Sequence, residues 1–194
     1  MNHESMTPEG YGMSIYTNSA SSTPAETEAY VAGLLGLLAN QDPLEVLRKT
    51  PTALEQFLGT VPAEILAVPE APGKWAIRDV FAHLADSELV GGVRLRMVLA
   101  HDRPTIIGYD QDLWTDRLRY REVDVRNALE QFTVLRRSNL RLWQNLTPAD
   151  LLRVGVHNER GEESLGHMRN LYAGHDILHL NQLNRIRQTI TAAS

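Results

Sequence analysis

Apolar residues recur at helical spacing along four long segments of the chain. In the first of them Tyr30, Leu34, Leu37 and Leu38 fall on one stripe, separated by the three- and four-residue steps that line one face of an α-helix. The apolar–polar alternation of half-buried β-strands is nearly absent. The four segments span residues 23–40, 75–101, 124–145 and 164–190. They predict an all-α protein, a four-helix bundle with short additional helices.

Helix-start signals divide the rest of the chain. Thr23-Pro24-Ala25-Glu26 is a capping box with proline at the first helical position. Asp42-Pro43 and Thr50-Pro51 repeat the pattern of a cap followed by proline, which predicts two short helices. Thr147-Pro148-Ala149-Asp150 predicts another short helix, and Ser164 is the expected cap of the last long one.

The connections differ in length and character. Pro72-Gly73 breaks the chain in a short loop before the second long helix. Gly91-Gly92, inside that helix, predicts either a bend or a close contact with a neighbouring helix. Residues 102–121 are long enough for a crossover and have room for one helical turn. Residues 153–162 predict a turn or a small hairpin around Asn158-Glu159-Arg160-Gly161.

Composition narrows the class of protein. The chain has 194 residues, a formal net charge of −5 with both signs interspersed, and no cysteine. Disulfides, thiolate ligands and cysteine nucleophiles are therefore excluded. No basic block predicts nucleic-acid binding, no apolar run is long enough for a membrane span, and no signal peptide is visible. We expect a cytoplasmic protein with an extended, partly mobile arm over residues 1–22 and a single domain over residues 23–194.

The candidate chemistry begins with His175 and His179 in the last helix. Four residues apart, they are offset by about 40° around a helix axis, and their Cβ atoms lie about 6 Å apart. Two imidazoles so placed can reach one metal ion, although such a pair also arises by chance. The sequence His-Asp-x-x-His differs from the zincin signature in its second residue, and no Asp, Glu, His or Cys follows His179. A standard zincin is therefore not expected, and a third ligand must come from elsewhere.

His83, in the middle of the second long helix, is the leading candidate for that ligand. A lone histidine among apolar neighbours is more often a core residue, but bundle helices project their inward residues into one volume, where bundle metal sites are built. A three-histidine site would leave a fourth position open. A ferritin-like di-iron centre is excluded because the chain has no Glu-x-x-His repeat.

The other four histidines are less suited to the site. His3 lies in the arm and His101 at a helix end. His157 lies in a loop, where it could lie beside the substrate. His167 is about 80° from His175 around the helix.

The motif Lys74-Trp75-x-x-x-Asp79-Val80-x-Ala82-His83-Leu84, followed by His175-x-x-x-His179-x-x-Gln182, resembles the DinB/YfiT-like superfamily of metal-binding four-helix bundles. The resemblance covers roughly residues 30–190. It implies an up-down-down-up bundle and places the metal ligands at His83, His175 and His179. All three positions hold histidine here.

The resemblance also implies a range of activities. Related proteins include transferases and isomerases that use bacillithiol or mycothiol, and others are described as metal-dependent hydrolases or DNA-damage-inducible proteins. A divalent ion, Zn²⁺ or Ni²⁺, would activate either a low-molecular-weight thiol or water. We expect transfer of a thiol onto a small electrophilic substrate ahead of simple hydrolysis. The rival interpretation is a non-enzymatic, stress-associated metal-binding bundle.

Residues around the predicted metal were assigned by their place in the chain. Tyr109 and Trp114 in the crossover are predicted pocket walls, and Arg160 is predicted to meet an anionic substrate group. Gln182 could support the site or be a plain polar neighbour. Asp86 and Glu88 could orient His83 through its other ring nitrogen, or they could be solvated charges on the helix surface. A homodimer is expected, with no nucleic-acid or membrane partner.

Overall fold

The computed structural model describes residues 23–192, so the predicted arm, with His3, lies outside the described residues. Within this range the α-helices are α1 (Pro24–Leu38), α2 (Pro43–Gly59), α3 (Ile77–Ala100), α4 (Gln111–Arg117), α5 (Val125–Trp143), α6 (Pro148–Leu151) and α7 (Leu165–Ala192). Single 3₁₀ turns span Ala63–Ile65 and Tyr120–Glu122. The strands are β1 (Thr105–Ile106), β2 (Val154–His157) and β3 (Gly161–Ser164). The predicted all-α class is confirmed, with a small sheet added.

Helices α2, α3, α5 and α7 form the bundle. One apolar cluster joins the first halves of α3 and α5 to the second halves of α2 and α7; its members include Leu54, Phe57, Ile77, Phe81, Leu129, Phe132, Leu183 and Ile186. A second cluster joins the opposite halves and includes Leu47, Leu95, Val98, Trp143, Leu165 and Met168. Helices α3 and α5 therefore run parallel to each other and antiparallel to α2 and α7, which confirms the up-down-down-up arrangement.

Helix α1 does not occupy the bundle position that its apolar stripe suggested. It packs along α7, where Tyr30 and Leu34 meet Leu171 in a third apolar cluster. The bundle position belongs to α2. The apolar periodicity of a segment shows that it buries one face, but it does not show which neighbour covers that face.

Helix α2 runs unbroken through Pro51, so the prediction of two short helices is wrong. Proline lacks the N–H that would bond the carbonyl of Leu47 one turn earlier. That carbonyl instead accepts a hydrogen bond from Nη1 of Arg136, at 2.9 Å. The Thr50 hydroxyl donates to the carbonyl of Val46 at 2.9 Å. The sequence alone does not show whether a threonine before a proline makes such a bond inside a helix or caps the start of a new one. Tertiary packing thus supplies the bond that the proline removes.

Arg136 is the centre of a charged cluster buried in the bundle. Its guanidinium donates to both oxygens of Asp176, at 2.5 and 3.0 Å, and to Glu88 at 2.8 Å. Asn139 donates to the other Glu88 oxygen at 2.8 Å. Burial favours the neutral form of Arg136, but the two carboxylates outweigh it and the pKa of Arg136 is raised. Through these bonds Arg136 of α5 links Glu88 of α3 to Asp176 of α7, the residue after His175.

The remaining connections support one end of the bundle. Strand β2 pairs with β1 in parallel and with β3 in antiparallel fashion, which confirms the predicted hairpin. Gly161 opens β3 with φ of 76°, a conformation that glycine adopts without strain. The crossover predicted to hold one helical turn contains α4. Within residues 23–192, no helix is both long and apolar enough to span a membrane.

The Gly91-Gly92 pair marks a close contact inside the bundle. A Cβ at Gly91 would lie 2.7 Å from the ring of Tyr172, and one at Gly92 would lie 2.6 Å from the amide of Asn139. Of the two alternatives for this pair, the close helix contact is the one found. It brings α3 against both α7 and α5 between two and three helical turns from His83.

Candidate metal centre

Three histidines from two helices meet in the bundle. His83 projects from α3, and His175 and His179 project from successive turns of α7. The Nε2 atom of His175 lies 3.1 Å from Nε2 of His83 and 3.1 Å from Nε2 of His179. Ligand atoms of all three fall within 4.8 Å of one another. The predicted triad is therefore brought together by the fold.

Burial keeps these imidazoles neutral. It lowers the pKa of His179 to about 4 and holds the pKa values of His83 and His175 well below their usual range, with a further contribution from the neighbouring ring of His179. A neutral imidazole offers one nitrogen lone pair, which is the form that binds a metal. At neutral pH the site therefore presents nitrogen donors rather than positive charges.

Two neighbours fix the orientation of His179. Its Nδ1–H donates to Oε1 of Gln182 at 2.7 Å, which places the lone pair on Nε2. Trp75 stacks against the same ring, with centroids 6.3 Å apart and planes 15° apart, and packs 4.9 Å from the ring of His83. Of the two alternatives for Gln182, the structure supports a direct role in positioning a cluster histidine.

The residues predicted to orient His83 do not do so. Asp86 accepts a hydrogen bond from the Tyr120 hydroxyl at 2.8 Å, and Glu88 belongs to the Arg136 cluster. Both carboxylates therefore hydrogen-bond to other partners. The Nδ1 atom of His83 is buried without a hydrogen-bond partner among the described residues. Ser87 is the polar side chain in contact, with Oγ 3.3 Å from Nε2 of His83.

A cleft that is open to solvent reaches the histidine cluster, where His175 is one of its lining residues. Its walls come from α1, α3, α7, the crossover and the β2–β3 hairpin. Tyr109 lines it as predicted, and its hydroxyl lies 2.8 Å from Oγ of Ser87. Burial, the largest effect, raises the pKa of Tyr109 to about 12, so the phenol stays protonated.

The structure places Trp114 and Arg160 differently with respect to the cleft. Trp114 is not among the residues that line the cleft, and its ring packs 4.3 Å from that of Tyr109. Arg160 does line the cleft, but its Nε and Nη2 donate to the Glu163 carboxylate at 2.6 and 3.0 Å. The Arg160–Glu163 pair carries no net charge, which weakens the attraction of Arg160 for an anion from outside. Sequence spacing placed Arg160 correctly and missed its partner.

The other described histidines lie outside the cluster. His157 is buried in β2, and its Nδ1 accepts a hydrogen bond from the backbone N–H of Glu159 at 3.2 Å. Burial, followed by the charges of Arg160 and Arg94, lowers its pKa to about 4. His101 is exposed at the end of α3. His167 lies in the first turn of α7, two turns before His175.

The donor set fits a divalent cation. Three neutral nitrogens converge, and lone pairs facing one another at 3.1 Å repel unless a proton or a cation lies between them. Neutral imidazole suits Zn²⁺, Ni²⁺ and similar ions, and three protein ligands leave a position for a further group. The cleft supplies access to that position from the side of His175.

Comparison with known proteins agrees with this arrangement. The family model described as the DinB superfamily matches residues 47–183, which include the whole histidine cluster. The chain belongs to the DinB superfamily. Helix α1 lies before the matched residues, so the wall that it adds to the cleft is not part of the match.

Individual relatives of this DinB-superfamily chain come from bacilli. A protein of Oceanobacillus iheyensis, named "Putative metal-dependent hydrolase", is 30% identical over 114 residues, 59% of this chain and 66% of that protein. "Putative metal-dependent hydrolase YfiT" of Bacillus subtilis is 27% identical over 146 residues, 73% and 82% of the two chains. The solved structure of YfiT has a TM-score of 0.68 at 24% identity, covers 88% of this chain and 92% of its own, and is described as having "an unusual four-helix bundle topology". That likeness shows the fold.

Sequence reasoning missed some residues that border the site. Ser87 lies one helical turn after His83, a spacing that could have revealed it. Tyr30 and Tyr172 line the cleft from α1 and α7, but their apolar periodicity made them ordinary core positions. Arg94 also lines the cleft, and no local sequence signal distinguishes it from the other arginines of α3.

Proposed function

We propose that His83, His175 and His179 hold one divalent metal ion and that the chain is a metal-dependent enzyme acting on a small molecule in the adjoining cleft. The observation that carries the proposal is the solvent-open cleft that His175 lines, because a closed site in a dry core would fit a purely structural ion instead. The names of the relatives support a metal-dependent enzyme. Three imidazoles support Zn²⁺ or Ni²⁺ as the ion.

The reaction that we propose is transfer of a low-molecular-weight thiol to an electrophile. A bound divalent ion supplies one effect, which is to lower the pKa of a thiol or water molecule at its open position. The thiol would give up its proton to water in the solvent-open cleft, its sulfur would bond to an electrophilic carbon, and the leaving group would depart with the electrons of the bond that breaks. A thiol activated in this way needs no general base. This suits a cluster whose contacts, within residues 23–192, include no carboxylate.

The chain's own residues would prepare this reaction in two ways. Trp75 covers one side of the His83 and His179 rings and excludes water from it. Ser87 and the protonated hydroxyl of Tyr109 form a short hydrogen-bonded path between His83 and the cleft. That path places a hydroxyl donor where it can hold an oxygen of the substrate.

Hydrolysis is the second candidate, because the relatives are named as hydrolases. In this case water rather than a thiol would be the nucleophile, and the same three histidines would hold the ion. The distinction therefore depends on what occupies the open position.

Cobalt-substituted protein separates the two reactions. Transfer predicts that an added bacterial thiol, such as bacillithiol or mycothiol, produces an intense sulfur-to-cobalt charge-transfer band, and that consumption of a model electrophile requires the thiol. Both should disappear in His83→Ala. The chain has no cysteine, so no protein sulfur can produce the band. Hydrolysis predicts ester or amide cleavage without thiol and inhibition by it. An unchanged spectrum with every thiol tested would overturn the transfer proposal.

We also propose that the chain forms a homodimer and acts in the cytoplasm. Support for the dimer comes from exposed apolar side chains on α3 and α5, since Leu89, Val93 and Val134 are 44%, 50% and 55% exposed. Analytical ultracentrifugation at micromolar concentration should give twice the chain mass of 21.8 kDa. A monomer mass would contradict the dimer, and replacing Val93 with Asp should shift a genuine dimer to monomer.

A further inference from the structure

One face of α3 leads from the histidine cluster along the cleft. Ser87 follows His83 by four residues and Arg94 follows it by eleven, so all three lie within about 40° of one another around the helix axis. Along the axis, Arg94 lies about 16 Å beyond His83. Ser87 and Arg94 both line the cleft, and so does His175 of the histidine cluster. The cleft is thus lined by an arginine and by a histidine of the cluster.

The guanidinium of Arg94 is only partly satisfied by the protein. Its Nη2 donates to the carbonyl of Ile107 at 2.7 Å, which fixes the side chain against the crossover. Its Nε is buried without a hydrogen-bond partner among the described residues. Its central carbon lies 5.9 Å from the centroid of the Tyr109 ring. The positive charge is therefore held in place at the cleft wall by neutral groups.

Arg94 differs in this respect from the other cation of the cleft. Arg160 is neutralised by Glu163, as described above. Glu159 also lines the cleft, with its carboxylate beside Gly108. Across residues 23–192, no carboxylate lies within ion-pair distance of Arg94. A positioned guanidinium without a carboxylate is suited to an anionic group from outside.

We infer that Arg94 binds an anionic group of the substrate or cosubstrate, a carboxylate or a phosphate, while the reacting group lies at the histidine cluster. Side chains on a helix point back toward its N-terminus, so the guanidinium reaches toward His83 and the two groups are on the order of 10 Å apart. Val31 and Leu34 of α1 give the cleft an apolar wall between them. The ligand class is an elongated organic anion. This inference rests on the proposed metal-dependent function.

A matched pair of metal-binding probes tests the inference without knowledge of the substrate. Suberic monohydroxamic acid carries a metal-binding hydroxamate at one end of an extended chain and a carboxylate at the other. Its terminal primary amide has the same length and shape without the charge. Affinities for the zinc-loaded protein are measured by calorimetry for the wild type, Arg94→Gln, Arg94→Lys and Arg96→Gln. Arg96 is the matched control because it lies on the same helix and bonds Asn139 and the Gly92 carbonyl instead of lining the cleft.

The carboxylate probe should bind the wild type about tenfold to a hundredfold more tightly than the amide probe, the range expected for a charge-assisted hydrogen bond. Arg94→Gln should reduce that ratio to near one, Arg94→Lys should keep part of it, and Arg96→Gln should keep it all. Equal binding of the two probes, binding of neither, or an unchanged ratio in Arg94→Gln would overturn the inference while leaving the metal site intact. Failure of the wild type to take up zinc would instead overturn the proposed function, and the inference with it.

Discussion

Gly174 of α7 is in backbone contact with Leu34 of α1. A Cβ at Gly174 would lie 2.7 Å from the carbonyl carbon of Leu34 and closer still to its oxygen. Backbone atoms cannot move aside as a flexible side chain can. The absence of a side chain at Gly174 therefore lets α1 pack directly beside His175, where it forms one wall of the cleft.

Replacing Gly174 with alanine should displace α1. An overpacked contact of this kind costs about 1–3 kcal/mol, more than the roughly 1 kcal/mol that alanine gains over glycine within a helix. We therefore expect a lower free energy of unfolding in urea and faster proteolysis between α1 and α2. Gly166→Ala, in the same helix, is the control, because its nearest contact would be an ordinary 3.4 Å. Equal stability of Gly174→Ala and Gly166→Ala would contradict the direct contact.

The buried Arg136 cluster should be essential to stability. Replacing Arg136 with methionine leaves Asp176 and Glu88 buried without a cation, which costs about 3–5 kcal/mol. Arg126→Met is the matched control on the same helix, because its ion pair with Glu55 is 61% exposed on both sides and contributes at most about 1 kcal/mol. Urea unfolding measures both changes. If Arg136→Met lowers the free energy of unfolding by less than Arg126→Met does, the cluster is not stabilising. Neutralising Asp176 and Glu88 together in Arg136→Met should restore part of the lost stability.

Stability should depend on pH through His157. Burial is the main cause that lowers its pKa in the folded protein to about 4, from the ordinary 6.5. Between these values the unfolded chain binds a proton that the folded chain does not, so the stability present above pH 6.5 falls as the pH decreases toward 4. The slope from this one group approaches about 1.4 kcal/mol per pH unit.

Comparison with His157→Gln isolates that contribution from the other buried histidines. Metal-free wild type and variant are unfolded in urea at a series of pH values across this window. The wild type should lose more stability than the variant as the pH falls. Parallel curves would mean that His157 takes up its proton in the folded state as readily as in the unfolded chain.

Gln182 should tune metal affinity through His179. Removing the acceptor for an imidazole N–H typically weakens metal binding tenfold to a hundredfold, because the ring is no longer held in its binding orientation and tautomer. Gln182→Leu should therefore release zinc to a competing chelator at a proportionally lower chelator concentration. Gln188→Leu is the control on the exposed side of the same helix. Equal zinc affinities in Gln182→Leu and Gln188→Leu would show that the hydrogen bond from His179 to Gln182 does not contribute to metal binding.

The sequence was sufficient for the parts of the fold that depend on local periodicity. The step of four between His175 and His179 and the inward position of His83 predicted the cluster, since helix geometry fixes which residues share a face. Capping patterns located the starts of α1, α6 and α7 for the same local reason.

One prediction that failed depends on a contact between distant residues. Thr50-Pro51 was predicted to start a helix, but Pro51 lies inside α2. The Leu47 carbonyl, which Pro51 leaves without its helical N–H, accepts a hydrogen bond from Arg136, 89 residues away. The ion pair between Arg160 and Glu163 is a local contact, three residues apart, but outside a helix a spacing of three does not by itself show that two side chains face each other. Which neighbour satisfies a polar group is decided by tertiary packing, and the pattern of a single segment does not contain it.

Metal content tests the central claim most directly. Protein purified without a metal-affinity tag, and analysed by inductively coupled plasma mass spectrometry, should carry about one divalent ion per chain, as three ligands and one open position require. His179→Ala should lose the ion while staying folded, and His167→Ala, a histidine of the same helix outside the cluster, should keep it. Folded wild-type protein that carries no divalent ion, and binds none when titrated with zinc or nickel, would contradict the account.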